Sequence, residues 1–329
     1  MAPNLERIES NFERTNRKRV AIIGSGNWGS AIAKIIGQTT RNHQDTFNPI
    51  VNWWVRDQKL KEFINNEHEN PKYLPGKKIS KNVIAISDLV ETCKDVDVLI
   101  FVIPHQFIAQ VCQQLAGKLK KRAVAISLIK GLSINPTGQI KLISDEISEI
   151  LGIEVAVLMG ANLAHEVADE KFCEATIGTH NKENNGEMWF KLFNTDYFRI
   201  TIVDDAHTVE LCGALKNVVA CAAGFADGLK IGENAKVALI RKGLMEIIKF
   251  IDNFYPVVRY ETIFESCGIA DLVTTCYGGR NRKVCEAYVS SNKTLAEVEK
   301  ELLNGQSAQG PLTAEEIFVT LKSSNSLEK

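Results

Sequence analysis

No run of about 18 consecutive apolar residues occurs in this sequence, so no transmembrane helix is expected. Neither sign of charge is in excess: 39 Lys and Arg face 40 Asp and Glu, a formal net charge of −1. That balance lacks the electrostatic footprint of a nucleic-acid or membrane-surface protein, and neither partner is expected. The eight cysteines, Cys93, Cys112, Cys173, Cys212, Cys221, Cys267, Cys276 and Cys285, form no C-x-x-C pair, and most sit in apolar runs. They read as reduced, partly buried thiols of a cytosolic protein. No zinc-ligand spacing links Cys to His, and no metal is expected. Residues 1–16 have no apolar h-region and carry Glu6, Glu9 and Glu13, so neither a secretory signal nor a mitochondrial transit peptide is expected. The basic run from Arg14 to Arg19 reads as a solvated lead-in to a strand rather than a nuclear address. The final Leu327-Glu328-Lys329 is not a peroxisomal signal. Internal repeats and low-complexity segments are also missing.

What is there suits a soluble globular protein. Apolar residues make up 45% and charged residues 24%, which excludes collagen, coiled coil and intrinsic disorder. At roughly 100–200 residues per domain, 329 residues imply two domains. The first part alternates short apolar runs with helical ones. Strands are expected at Val20–Ile23, Ile50–Val55, Val83–Ile86, Val96–Ile103, Ala123–Ile129, Val155–Met159 and Phe198–Val203. Helices are expected between most of them, including Ser30–Gly37, Phe107–Leu119 and Gly138–Leu151. Continuously apolar strands separated by helices predict a doubly wound, mainly parallel sheet covered on both faces, the Rossmann-type α/β architecture.

Ligands of such sheets bind outside the carboxyl ends of the strands. Those ends read Gly24, Arg56, Pro104-His105, Lys130 and Gly160-Ala161-Asn162, mostly residues that sheet packing does not need. Gly24-Ser25-Gly26-Asn27-Trp28-Gly29 is a G-x-G-x-x-G that follows a strand and opens a helix, the context that gives this motif its meaning. Gly24 permits the tight turn, Gly26 the approach of a pyrophosphate, and Gly29 close helix–strand packing. The helix N-terminus then offers free N–H groups to the phosphates. At the end of the second strand, Asp57 suits a ribose hydroxyl and Arg56 a 2′-phosphate, so the pattern puts NAD only modestly ahead of NADP.

After Val203 strand signals fade. Helices are expected over Ala206–Asp227, Ala235–Phe254, Thr262–Cys267, Lys283–Ser290, Thr294–Leu303 and Thr313–Lys322. The domain boundary is expected near Asp204-Asp205, whose carboxylates suit a helix cap. The division is a polar tail over 1–17, a dinucleotide-binding domain over 18–204 and a mostly α-helical substrate domain over 205–329. Between Leu211 and Ala226 the only charged residue is Lys216, followed by Asn217. A helix apolar nearly all round is buried. A lysine there is either a snorkelling stem or, desolvated and lowered in pKa, a proton donor. The segment Thr274 to Arg282 sets two glycines beside Arg280 and Asn281, an arrangement that suits a phosphate or carboxylate or forms a plain surface turn. Asp271, just before it, is placed to pair with Arg280 or with Lys216.

From Lys18 to about Phe318 the sequence resembles the soluble, NAD-dependent glycerol-3-phosphate dehydrogenases of eukaryotes. The resemblance rests on Gly24 to Ala33, Phe101-Val102-Ile103-Pro104-His105-Gln106-Phe107, Ser127 to Gly131, Met159 to Ala164, the Lys216 helix, Gly278 to Lys283, and Asn304-Gly305-Gln306 with Gln309-Gly310-Pro311. It implies reversible hydride transfer between NADH and dihydroxyacetone phosphate, a cytoplasmic homodimer, and these roles. Lys216 matches the catalytic lysine and Lys130 a second active-site lysine near substrate and nicotinamide. Asn217, Arg280 and Asn281 match residues that hold substrate, with Arg280 also near the cofactor. Asp271 and Thr275 match polar neighbours of the lysine. Gly24, Ser25, Gly26, Asn27, Trp28, Gly29, Phe107, Ala164 and Gln309 match the cofactor site. Two positions depart from the animal pattern: Arg56 stands where an aromatic is usual, and Ser307 replaces a common lysine. The alternatives are a related β-hydroxyacid dehydrogenase acting on a carboxylate, or a non-catalytic NAD-binding protein.

Overall fold

The computed structural model describes residues 17–135, 139–255, 259–303 and 308–327. The tail over 1–16, the Asn304-Gly305-Gln306 motif and Ser307 lie outside them. The chain opens with β1 (Lys18–Ile23), α1 (Asn27–Asn42), β2 (Phe47–Trp54) and α2 (Gln58–Glu67). A small hairpin of β3 (Glu69–Asn70) and β4 (Leu74–Lys78) leads to β5 (Val83–Ile86). The chain returns through α3 (Leu89–Thr92) to β6 (Val98–Phe101), a 3-10 turn over His105–Phe107, α4 (Ile108–Leu115) and β7 (Val124–Ser127). A second hairpin, β8 (Leu132–Ile134) and β9 (Ile140–Leu142), precedes α5 (Ile143–Leu151) and β10 (Glu154–Met159). Then come α6 (Ala164–Ala168), β11 (Cys173–Gly178), α7 (Lys182–Phe193) and β12 (Phe198–Val203).

Eight of these strands form one sheet in the order β12-β11-β10-β7-β6-β1-β2-β5. Every pairing is parallel except β10 with β11. Apart from Lys18 and Arg19 at the start of β1, Ser127 at the end of β7 and Glu154 at the start of β10, the central strands are apolar because helices cover both faces. Their alternation still sorts them: Val20, Ile22, Val98 and Ile100 enter one core with α1, while Ala21, Ile23, Leu99 and Phe101 enter another with α4 and α5. From β1 the order runs outward to β2 and β5, then resumes on the other side with β6 and β7. The carboxyl ends of β1 and β6 therefore flank the switch point where a crevice opens.

The remainder is helical: α8 (Ala206–Gly228), α9 (Glu233–Phe254), α10 (Tyr260–Ile263), a π-helical turn over Ser266–Ala270, α11 (Asp271–Gly278), α12 (Arg280–Val289), α13 (Leu295–Leu302) and α14 (Gln309–Ser323). Asp205 caps α8, accepting from the Thr208 N–H at 3.1 Å, and takes the Thr262 hydroxyl on its other oxygen at 2.9 Å. α8 is long and apolar enough to cross a membrane by composition, but 83% of its apolar window is buried inside the protein. It is a core helix, packed on α9, α11, α12 and α14.

The structure departs from the sequence reading at several elements. β11 was not expected. Of the segment read as helix over Gly138–Leu151, Gly138 lies outside the described residues, and Ile140–Leu142 form β9 before the helix starts at Ile143. The helix expected over Thr262–Cys267 is the short α10 followed by the π turn, where a Cβ on Gly268 would lie 2.0 Å from the Ile263 carbonyl oxygen. Gly278-Gly279 do not open a loop. Gly279 ends α11 and is the N-cap of α12, so Arg280 and Asn281 begin a helix three residues earlier than expected.

Candidate active site

The first turn of the nucleotide fold is built by packing constraints. Gly24 has φ +122°, and a Cβ there would lie 2.3 Å from the Val102 carbonyl oxygen, so only glycine lets β1 turn beside β6. A Cβ on Gly29 would lie 2.3 Å from the Gly24 carbonyl, which fixes the approach of α1. A Cβ on Gly26 would meet nothing within 4 Å: this glycine borders open space. Gly26 is the N-cap of α1 and no side chain caps the helix, so its first N–H groups face that space. This is the cradle a pyrophosphate requires, and the residues fit NAD.

Sequence reasoning missed the braces of this turn. The Trp53 indole N–H donates to the Gly24 carbonyl at 2.8 Å. Asn70 is fully buried and its amide donates to the Ser25 carbonyl at 3.0 Å and to Ser30 Oγ at 2.9 Å. Asn27 is exposed beside the loop, and Trp28 packs against the core with its ring 6.2 Å from that of Phe198. Phe107 and Ala164 follow the carboxyl ends of β6 and β10, and Phe107 is 43% exposed. Asp57 is partly committed elsewhere: its Oδ1 caps α2, accepting from the N–H groups of Lys59 at 3.0 Å and Leu60 at 3.1 Å. Arg56 is exposed.

The second cluster forms where α8 meets α11. Lys216 is 4% exposed, so it does not snorkel to solvent. Asp271 and Thr275, four residues apart, share one face of α11 and meet it. Lys216 Nζ donates to Thr275 Oγ1 at 2.7 Å and is ion-paired with Asp271 Oδ1. The Thr275 hydroxyl in turn donates to the backbone carbonyl oxygen of Asp271 at 2.6 Å. Lys130, from the carboxyl end of β7, donates to Asp271 Oδ2 at 2.8 Å and to the Gly160 carbonyl at 3.0 Å. One buried carboxylate thus holds an ammonium on each oxygen. The sequence left Asp271 to pair with Arg280 or Lys216; the structure gives it Lys216 and Lys130. Burial pushes the Lys216 ammonium below its ordinary value of 10.5; the charge of Asp271 opposes that shift, and the charge of Lys130 adds to it.

The amides form a third group. Asn281 donates to Asn217 Oδ1 at 2.9 Å and accepts the Gly310 N–H on its own Oδ1 at 3.0 Å. Both are buried, and Asn217 follows Lys216 directly on α8. A Cβ on Gly310 would lie 2.3 Å from Cys221 Sγ and 2.7 Å from the Asn217 carbonyl, so a bare glycine lets the start of α14 rest on α8. Gln309 begins α14, and Arg280 is exposed at the start of α12. Lys216 and Asn217 therefore belong to α8, Asp271 and Thr275 to α11, and Arg280 and Asn281 to α12; the three helices pack on one another, and Lys130 ties them to the sheet.

Comparison with known proteins agrees in extent with this architecture. Residues 19–185 match the family model described as NAD-dependent glycerol-3-phosphate dehydrogenase N-terminus, and residues 205–328 match the corresponding C-terminus. The chain is 61% identical to a probable glycerol-3-phosphate dehydrogenase 2 of Caenorhabditis elegans over 318 residues, covering 92% of this chain and 81% of that one. It is 56% identical over 312 residues to a protein of Drosophila melanogaster named as cytoplasmic, NAD(+) glycerol-3-phosphate dehydrogenase, covering 93% and 85%. Among solved structures, glycerol-3-phosphate dehydrogenase of Saccharomyces cerevisiae superposes with a TM-score of 0.89 at 43% identity, covering 95% and 92% of the two chains. That of Plasmodium falciparum gives 0.91 at 39% identity, covering 96% and 89%.

Proposed function

The chain belongs to the NAD-dependent glycerol-3-phosphate dehydrogenase family, and from that membership we propose how its residues divide the work of reversible hydride transfer between NADH and dihydroxyacetone phosphate. The observation that carries the reading is the lysine pair on one buried carboxylate, with Lys216 almost wholly desolvated. NADH, when bound, supplies the hydride. The Gly24–Gly29 turn, with Ser25, Asn27 and Trp28, would hold the cofactor, together with Phe107, Ala164 and Gln309. Negative charge develops on the carbonyl oxygen of the substrate as its carbon is reduced. Lys216 holds the proton at Nζ that this oxygen takes, and in the reverse direction receives it from the alcohol. Asp271 keeps Lys216 charged against burial, and Thr275 fixes its direction. Lys130 orients substrate and adds positive charge close to the nicotinamide. Asn217, Asn281 and Arg280 hold the substrate, Arg280 also facing the cofactor. A carboxylate substrate and a non-catalytic role are not favoured by the family match.

The division into a tail over 1–17, a cofactor domain over 18–204 and a helical domain over 205–329 is part of the same proposal, supported by the two ranges of the family match. The location is cytoplasmic, as the Drosophila melanogaster relative is named. Nicotinamide absorbance followed with dihydroxyacetone phosphate tests the reaction, and running it with NADH and NADPH tests the cofactor. We expect the higher kcat/KM with NADH, because Asp57 at the end of β2 would repel a 2′-phosphate; equal or better turnover with NADPH would make Arg56 the deciding residue.

We propose a homodimer. In support, the helical part exposes apolar side chains on α9 and α11, Val237 at 52%, Met245 at 51%, Val273 at 45% and Tyr277 at 46%. Light scattering at micromolar concentration should return about twice the 36.5 kDa chain mass, and the chain mass itself would contradict this.

Arg280→Ala should weaken the phosphate substrate. A hydrogen bond to a charged group contributes about 1.5–3 kcal/mol, and a bidentate guanidinium makes two. With about 1.4 kcal/mol per tenfold, KM for dihydroxyacetone phosphate should rise at least ~10-fold. Part of the loss should appear in kcat, since phosphate binding also positions the carbonyl. An unchanged KM would put the phosphate elsewhere.

A further inference from the structure

Away from the lysine cluster, a second carboxylate joins three helices. Asp227 lies in the last turn of α8, Lys236 near the start of α9 and Arg282 in the first turn of α12. Asp227 Oδ2 accepts from Lys236 Nζ at 2.8 Å and from Arg282 Nη1 at 2.7 Å. Lys236 is buried, and its ammonium also sits over the Tyr277 ring of α11, 4.3 Å from the centroid. Arg282 Nη1 donates to Glu286 as well, at 2.8 Å, but Glu286 is on α12 itself. A Cβ on Gly224 would lie 2.3 Å from the Arg282 carbonyl oxygen, so α8 and α12 touch backbone to backbone beside the network. Burial would raise the Asp227 carboxyl, yet the bonds from Lys236 and Arg282 hold it below its ordinary value, so it is a carboxylate at neutral pH.

Only Gly279 stands between α11 and α12, and it follows Gly278, where a Cβ would meet nothing within 4 Å. Two successive glycines make a soft joint. This joint divides the residues that face the substrate: Asp271 and Thr275 lie before it, Arg280 and Asn281 after it. The network grips both sides. Tyr277 stands immediately before the glycines and is held through Lys236; Arg282 stands just after them and is held by Asp227 directly. We propose that Asp227 is a positioning residue for the substrate: it clamps the joint from both sides and so fixes the start of α12, with Arg280 and Asn281, relative to Lys216. The inference rests on the reading of Arg280 and Asn281 as substrate contacts. Asp227 follows Lys216 along α8 by about 16 Å, at about 1.5 Å per residue, so its effect on the reaction passes through the helices it joins. Glu286 can keep Arg282 neutralised but cannot tie α12 to α8. Loss of the Asp227 charge therefore frees the joint without leaving Arg282 unpaired.

The test compares Asp227→Asn, Lys236→Met and the double variant Asp227→Asn/Lys236→Met, with Arg280→Ala as reference. KM for dihydroxyacetone phosphate, kcat, NADH binding by fluorescence, the melting temperature and the mass by light scattering are measured for each. Asp227→Asn should lower kcat/KM for dihydroxyacetone phosphate about 10-fold, mostly through KM, less than the about 10²-fold that a 1 Å misplacement can cost. NADH affinity should stay within about twofold, because the glycine turn belongs to the sheet and shares no partner with the network. Lys236→Met should raise KM by less, since it releases Tyr277 and leaves Arg282 on Asp227. The double variant should melt higher than Asp227→Asn, because no buried ammonium is left without its carboxylate, yet keep the raised KM, because neither side of the joint is held. If Asp227→Asn does not fold, the double variant carries the comparison with wild type. An unchanged KM, a KM that recovers together with the melting temperature in the double variant, or an equal loss of NADH affinity would each overturn the inference. So would a fall in mass accompanying the rise in KM, which would assign the network to contact between copies of the chain. If Arg280→Ala leaves KM unchanged, the substrate reading fails and the inference fails with it. If Arg280→Ala raises KM while Asp227→Asn does not, only the positioning role falls.

Discussion

Lys216→Met should lose on the order of 10²–10⁴ in kcat, the usual contribution of a positioned general acid, while still binding NADH. The expectation follows from where the charge appears. Reduction leaves an alkoxide on the substrate, and in a dry cleft nothing but a fixed donor can neutralise it as it forms. Lys216 qualifies by burial and by direction, since Thr275 and Asp271 fix its Nζ from one side. The methionine keeps most of the stem and adds no cavity. It should also leave the fold intact, because Asp271 would keep Lys130 on its Oδ2 and is not stranded as a lone buried charge. The pH profile of the wild type supplies a second reading. Reduction needs Lys216 protonated, and burial has lowered its pKa, so the reduction rate should fall as pH rises through that lowered value. Oxidation of glycerol 3-phosphate needs the free amine and should rise over the same range. Neither limb should survive in Lys216→Met. If that variant kept more than about a tenth of the wild-type kcat, Lys130 would become the leading donor.

The parts of this site that were legible in the sequence are those whose physics is local. The glycine turn can be read because strand, turn and helix follow one another within a few residues, and each glycine has its own steric reason. Lys216 can be read because a single charge in an apolar helix is anomalous wherever the helix packs. The ends of strands point to Lys130 and His105 for the same reason. What stayed open depends on contacts between distant segments. Asp271 and Lys130 are separated by 141 positions, so no spacing rule could choose between Lys216, Lys130 and Arg280 as partners of that carboxylate. Asn70, which braces the turn by bonding Ser25 and Ser30, lies 40 or more positions from both and looks like an ordinary loop amide. β11 was missed although Cys173-Glu174-Ala175-Thr176-Ile177 alternates apolar with polar residues, because two of its three apolar positions are small side chains rather than the β-branched or aromatic ones that mark a strand. Its small residues serve packing instead, since a Cβ on Gly178 would lie 2.6 Å from the Ala206 Cα at the start of α8.

Asp271→Asn should damage the enzyme differently from the loss of either lysine, and the difference identifies what the carboxylate does. The wild-type group neutralises two ammoniums, one on each oxygen, in a site where it is itself 2% exposed. The amide is nearly the same shape and still offers one oxygen, so packing is kept while the charge is lost. Lys216 then faces burial and the Lys130 charge with nothing opposing them. A single neighbouring charge typically moves a pKa by about 1–3 units, so the lowered pKa of Lys216 should fall further by about that much. The falling limb of the reduction rate should move to lower pH by the same amount, and at neutral pH kcat should drop by about 10-fold or more. Lowering the pH should recover part of it, which no loss of a proton donor would allow. Stability should fall as well, by up to about 3–5 kcal/mol if both lysines stayed charged. It should fall less once Lys216 sheds its proton, because a neutral amine needs no counter-charge. A pH–rate profile that kept its wild-type position in Asp271→Asn would mean that the carboxylate only holds the helices together, and that Thr275 and the buried surroundings alone set the lysine.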